Sequence, residues 1–115
     1  MCPLEDIVKW NEDRGLTTFS AINQYKMLDE ELQEFYVAFS DQDEHEMVDA
    51  LCDIIVVATG AIHKLGYKPR EALQETLNEI SSRRGSVNSA TSKWKKDPNQ
   101  DPATLYKAEY SSARR

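Results

Sequence analysis

Residues 17–66, TTFSAINQYKMLDEELQEFYVAFSDQDEHEMVDALCDIIVVATGAIHKLG, decide the fold. Ile22, Tyr25, Met27 or Leu28, Leu32, Phe35 and Phe39 recur at helical spacing, so the first half reads as one long helix. Thr17 or Thr18 can cap its start, the hydroxyl accepting from a free backbone N–H. Ser40 to Asp43 is a polar break. Asp41 followed by Glu44 has the spacing of a capping box, which starts a second long helix there. It runs to about Leu65, and Gly66 fits its C-terminal stop. So short a break between two long helices folds them back antiparallel.

Working outward, Pro3 to Asp13 reads as a helix with proline in its first turn, an apolar side of Leu4, Ile7, Val8 and Trp10, and Gly15 as its stop. Pro69 opens a further helix to about Arg84, ended by Gly85. The expected fold is all-α: a four-helix bundle-type protomer built on an antiparallel hairpin, with an extended C-terminal tail, assembled as a homo-oligomer. Residues 1–85 form the helical core and 86–115 a basic tail of the same domain. In that tail Ser, Asn, Pro, Asp and Lys dominate, and composition alone describes a mobile segment. Trp94, Leu105, Tyr106 and Tyr110 give it the means to be held down, on this chain or on another subunit. There is no internal repeat and no β-hairpin signal.

The 115 residues fit one domain, and a core this small favours added stability from other subunits. The formal charge of −6 is unevenly spread. Residues 1–82 hold 17 acidic and 6 basic side chains, a net −11, and residues 83–115 hold 3 acidic and 8 basic ones, a net +5. An acidic body argues against a nucleic-acid polymer as partner, because a duplex binder spreads positive charge over one face. It suits metal cations in the body and phosphates at the tail. Cys2 and Cys52 make neither a metal-ligand pair nor a disulfide framework, which suits a reducing cytoplasm. The start MCPLEDIVKW is too short and too acidic for a signal peptide. The longest apolar stretch, IIVVATGAI, has nine residues against the roughly 20 that a membrane span needs.

Carboxylates carry the candidate chemistry. Glu31 and Glu34 stand three apart on one helix of the hairpin, and Glu46 and Asp49 stand three apart on the other, so each pair shares a helix face. With Ser40 as the centre of the turn, Glu34 and Glu46 are each six residues away, and Glu31 and Asp49 each nine. That register sets Glu34 level with Glu46, and Glu31 level with Asp49. Four converging carboxylates repel unless neutralised, and hard divalent cations, Mg²⁺ or Mn²⁺, are the natural remedy. Asp53, one turn beyond Asp49, interrupts the apolar run around Ile54–Val57 and enlarges the cluster to five. It can bind a second metal or hold a water, and two metals suit phosphoryl chemistry. A di-iron bundle would want Glu-x-x-His pairs, which neither His45 nor His63 supplies, so both read as surface or core-edge residues.

Glu30-Glu31-x-x-Glu34 followed by Glu46-x-x-Asp49 resembles the metal motif of the MazG-like all-α nucleoside triphosphate pyrophosphohydrolases. Trp10–Leu16 resembles their first helix and Asp49–Asp53 their second motif. The stretches 79–85, 93–97 and 106–110 resemble bacteriophage members. The segment between Glu34 and Glu46 is at the short end for the family, which leaves less loop to close over a base. The resemblance implies hydrolysis between the α- and β-phosphates of a (d)NTP, a purine such as dGTP or dATP, to the monophosphate and pyrophosphate. It implies Glu31, Glu34, Glu46 and Asp49 as Mg²⁺ ligands, with Asp53 as a further ligand or a water-orienting group. It also implies a homodimer or dimer of dimers, working in the cytoplasm, or the host cytoplasm for a viral protein.

Carboxylates do not hold phosphates, so cations must. Arg83, Arg84, Lys93, Lys95, Lys96 and Lys107 are the candidates, with arginine suited to bidentate contacts. Asn78 can hydrogen-bond a ribose or base, and Trp10 can stack on a base, although a tryptophan on a helix face more often packs into a core. Two rivals stand beside this reading: a non-catalytic helical protein that binds a partner through its acidic face, and a phosphoribosyl-ATP-type pyrophosphohydrolase.

Overall fold

The computed structural model describes residues 2–115. It is all-α apart from one small sheet, with four helices: α1 (Pro3–Asp13), α2 (Ala21–Ser40), α3 (Glu44–Lys64) and α4 (Pro69–Ser82). Two four-residue strands follow, β1 (Gly85–Asn88) and β2 (Lys93–Lys96). The chain forms two compact units, one running to Pro69 and including Arg115, the other Arg70–Arg114.

In the first unit α2 packs along α3, and α1 packs on α3. The helix boundaries have local causes. Pro3 sits in the first turn of α1, and Gly15 follows its end at φ +68°, a conformation that costs glycine little. The chain from Leu16 to Ser20 has no regular secondary structure and Ser20 is extended, so the cap of α2 is Ser20, not Thr17 or Thr18; its hydroxyl accepts from the Asn23 backbone N–H at 3.4 Å. Similarly, Asp43, not Asp41, caps α3, accepting from the Glu46 N–H at 3.1 Å. Asp41 instead closes α2, and Gln42 makes the turn at φ +56°. At the far end of α3, Arg115 donates to the carbonyls of His63 (2.7 Å) and Gly66 (2.9 Å), in the region where a helix leaves its carbonyls unpaired.

The hairpin core is thin. Its buried apolar side chains are Ala38 and Ala50, and no large side chain is fully buried among the described residues. Buried polar side chains are more prominent: Asn11, Gln24, Thr59 and His63. His63, read from sequence as surface or core-edge, is 3% exposed, and its Nε2 meets Glu12 Oε1 at 2.9 Å. The Asn11 amide fills the space beside Gly60, where an added Cβ would meet its Oδ1 at 3.2 Å.

The second unit holds a β-hairpin that the sequence did not announce. β1 and β2 pair antiparallel with Gly85 opposite Lys96 and Asn88 opposite Lys93. The strands lack apolar alternation because all eight residues are exposed. The turn is set by Asn88, whose Oδ1 accepts from the N–H groups of Ala90 and Thr91, and by Ser92 at φ +57°. Gly85 is needed there, since a Cβ would run into the Lys95 carbonyl and the Trp94 ring. The tail is held within its own unit. Gln100 bridges the Ser82 carbonyl and the Arg84 N–H, the Tyr106 hydroxyl donates to Glu75, and the Tyr110 and Thr76 hydroxyls lie 2.8 Å apart. The Tyr106 hydroxyl and the Glu109 backbone N–H together hold the Glu75 carboxyl below its usual range.

Candidate metal centre

The true centre of the hairpin turn is Gln42, because α2 continues through Ser40 and α3 starts at Glu44. That shifts the register derived from Ser40. Glu31 and Asp53 now stand at equal distance from the turn, and Glu34 falls level with Ala50. The side chains follow this count. Glu31, Glu34 and Asp53 each offer a carboxylate oxygen, all within 4.8 Å of one another. Glu31 and Asp53 are half-buried and Glu34 is exposed.

Three carboxylates this close cannot all ionise without strain or a counter-ion. Burial pushes the Glu31 carboxyl up to about 7, with the neighbouring Glu34 and Asp53 charges adding to it. Its Oε2 is buried without a hydrogen-bond partner among the described residues. An orphaned buried oxygen of this kind costs about 1–3 kcal/mol, more for a charged group. An all-oxygen donor set with one oxygen unsatisfied fits a hard divalent cation, which would neutralise the cluster and occupy the orphan.

Glu46 and Asp49 lie elsewhere on α3. Both are exposed and line an open depression of about 460 Å³ with His45, Val48 and Cys52. Trp10 on α1 is half-exposed, with the Arg14 guanidinium stacked 4.1 Å from its ring centroid. The remaining candidates belong to the second unit. Asn78 accepts from the Gln74 amide at 2.9 Å. Arg83 pairs with Glu79 at 3.2 Å and, with Lys96, Tyr106 and Lys107, lines a cavity of about 590 Å³. Arg84, Lys95 and Lys96 line a second of about 450 Å³. Lys93, at the start of β2, lines neither.

Sequence reading passed over Gln24. It is 7% exposed, and its Oε1 is, among the described residues, the other buried side-chain oxygen without a partner. The available signal was a spacing: Gln24, Leu28, Glu31, Phe35 and Ala38 alternate by four and three, the pattern of a helix seam, and all five are buried or half-buried. A polar residue in such a seam marks either structural specificity or a ligand.

No helix among the described residues is long and apolar enough to cross a membrane. Comparison with curated proteins gives no match. Comparison with solved structures gives none either. The sequence model of the family described as phosphoribosyl-ATP pyrophosphohydrolase, by contrast, matches residues 13–80, which span the hairpin and the three clustered carboxylates. That is more than half of the chain, and on it this protein belongs to the phosphoribosyl-ATP pyrophosphohydrolase family, within the MazG-like all-α NTP pyrophosphohydrolases.

Proposed function

We propose that this chain hydrolyses the α–β phosphoanhydride of a (d)NTP, a purine such as dGTP or dATP, releasing the monophosphate and pyrophosphate. The convergence of Glu31, Glu34 and Asp53 in a half-buried seam supports this reading most. These three carboxylates would hold Mg²⁺ or Mn²⁺, with Glu46 and Asp49 extending the donor set along α3. A divalent cation held there would supply polarisation of the phosphate and a water of lowered pKa. The protein's own part is to strip water from Glu31 and keep three acids within reach of one cation. A bound cation would take the place of the proton that burial favours on the Glu31 carboxyl. Arg83, Arg84, Lys93, Lys95 and Asn78 are proposed phosphate or sugar contacts, and Trp10 a stacking surface.

A homodimer or dimer of dimers belongs to the same proposal. It is supported by the thin core and by an apolar stripe on α2, Ile22, Tyr25, Leu32, Tyr36 and Phe39, left exposed by the single chain. The bacteriophage-type reading rests on the tail stretches alone, and a nucleotide-pool role places the protein in the cytoplasm.

A second reading, phosphoribosyl-ATP as the substrate, is favoured by the family match. The two share the scissile bond, so one screen separates them. Pyrophosphate release is measured with Mg²⁺ on the eight common nucleotides, modified nucleotides and phosphoribosyl-ATP. Release from a free nucleotide supports the first reading and release from phosphoribosyl-ATP alone the second. Orthophosphate as product counts against α–β cleavage. If no substrate releases pyrophosphate, a non-catalytic helical binding protein becomes the better description; if Glu34→Gln and Asp49→Asn leave metal-dependent release unchanged, these carboxylates are not the site.

A further inference from the structure

Among the described residues two side-chain oxygens are buried without partners, and both belong to one stripe of α2. Glu31 carries one and Gln24 the other. Seven residues separate them, two turns less about 20°, so they point in nearly the same direction and lie roughly 10 Å apart along the axis. Equal counts from Gln42 put Glu31 level with Asp53, where the acids gather. The same count puts Gln24 level with Gly60, where α3 offers no side chain and the Asn11 amide takes up the space one would fill. The seam therefore holds an orphaned carboxyl oxygen at one level and an orphaned amide oxygen at the other.

Resting on the pyrophosphohydrolase reading, we infer that Gln24 is a specificity-determining residue whose side-chain carbonyl accepts a hydrogen bond from an N–H of the substrate's base while the phosphates lie at Glu31, Glu34 and Asp53. The axial rise between the two residues, roughly 10 Å, is of the order of the length of an extended nucleotide from its phosphates to its base. The division of labour is chemical. A metal-loaded carboxylate end senses phosphate charge and is blind to the base. A buried neutral acceptor discriminates, because a base without a donor leaves that acceptor unpaired. Glutamine costs rotamer entropy and an unsatisfied carbonyl in a seam where leucine would only pack, so its place there calls for a partner.

The test uses the full chain loaded with Mg²⁺ and compares wild type with Gln24→Met, which keeps length and removes the acceptor. Calorimetry measures binding of non-hydrolysable α,β-methylene analogues of the eight common nucleotides and of inorganic triphosphate. The expected variant melts at or above the wild-type temperature, keeps its Mn²⁺-dependent thermal shift and binds triphosphate normally. Its affinity for the preferred nucleotide falls about tenfold, so the preference among bases flattens. An unchanged preference in Gln24→Met overturns the inference, as does a wild type with no preference. If Gln24→Met and Gln24→Leu both melt lower and lose triphosphate binding as well, Gln24 is a packing residue. Because binding is read with analogues, a chain that releases no pyrophosphate fails the hydrolase reading alone, whereas one that binds no analogue overturns both.

Discussion

Two stripes of α2 depart from an ordinary amphipathic helix. The stripe turned to α3 carries Gln24 and Glu31 among Leu28, Phe35 and Ala38. A second stripe, about 100° further round the helix, is Ile22, Tyr25, Leu32, Tyr36 and Phe39, and these are 56–67% exposed. A soluble helix normally buries its apolar stripe and wets its polar one. Here the polar groups are withdrawn from water, where charge is costly and cation binding is strong. The apolar groups are left on the surface, where they gain only by meeting another surface. The inner stripe is organised for a ligand and the outer one for a partner, and each claim can be broken separately.

The largest effect is expected on the inner stripe. Glu31→Gln keeps the shape of the cluster and removes its most desolvated charge. Metal-dependent pyrophosphate release should fall by at least about a hundredfold, because the carboxylate with the orphaned oxygen no longer draws a cation. The same variant, stripped of metal at neutral pH, should be no less stable than wild type, since like charges have been removed from a half-buried site. Loss of stability alongside loss of activity would show that the inner stripe is structural.

The outer stripe comes next. Tyr36→Asp places a charge in the middle of the exposed apolar row without touching the cluster. Light scattering after size exclusion should show the assembly shifting to monomer, a loss of about 2 kcal/mol or more at a well-packed interface position. A wild-type chain that is already monomeric at high concentration would remove the partner explanation for this face.

Much of this arrangement could be read in advance, and the failures have physical causes. The bounds of α1 were legible because Pro3 and Gly15 are strong punctuation. The turn was misplaced because Asp41 and Asp43 are equally good caps, and Gln42 bends at positive φ without being glycine or asparagine. Two residues of error in the turn become four in the register, enough to exchange Asp49 for Asp53 opposite Glu31. The β-hairpin left no pattern because its strands bury no face. Gln24 was illegible because hydrophobic periodicity counts only apolar residues, and the stripe it reports mixes Leu28 and Phe35 of the seam with the exposed Ile22, Tyr25, Leu32 and Phe39.

A third outcome sharpens the inner stripe through pH. Glu31 is raised from its ordinary 4.5 to about 7, so the folded state holds its proton more tightly than the unfolded chain does. Its stabilising contribution is fully present below pH 4.5 and is lost as the pH rises through 7. The group's share of the metal-free melting temperature should thus be higher at pH 5 than at pH 8. Subtracting the Glu31→Gln profile isolates it. Mg²⁺ at pH 8 should restore the difference, since the cation replaces the proton. A wild-type profile parallel to that of Glu31→Gln would mean that the three acids do not share a site in solution.

The smallest expected effect decides how firm the far end of the inner stripe is. Gly60 lies level with Gln24, and a Cβ there would sit 3.2–3.3 Å from both polar atoms of the Asn11 amide. Two effects oppose in Gly60→Ala. Helix propensity favours alanine by about 1 kcal/mol in a helix interior. Crowding costs about 1–3 kcal/mol when neighbours cannot move. Asn11 is buried and tied to the Ile7 carbonyl at 2.9 Å, so its amide has little freedom to retreat. Crowding should therefore win narrowly, with a net loss of no more than about 1 kcal/mol by urea unfolding. A gain approaching the full propensity term would mean that Asn11 gives way and the space beside Gln24 is soft. A soft space could still admit a base edge, but it could not discriminate between bases, because a neighbour that moves aside for any ligand penalises none.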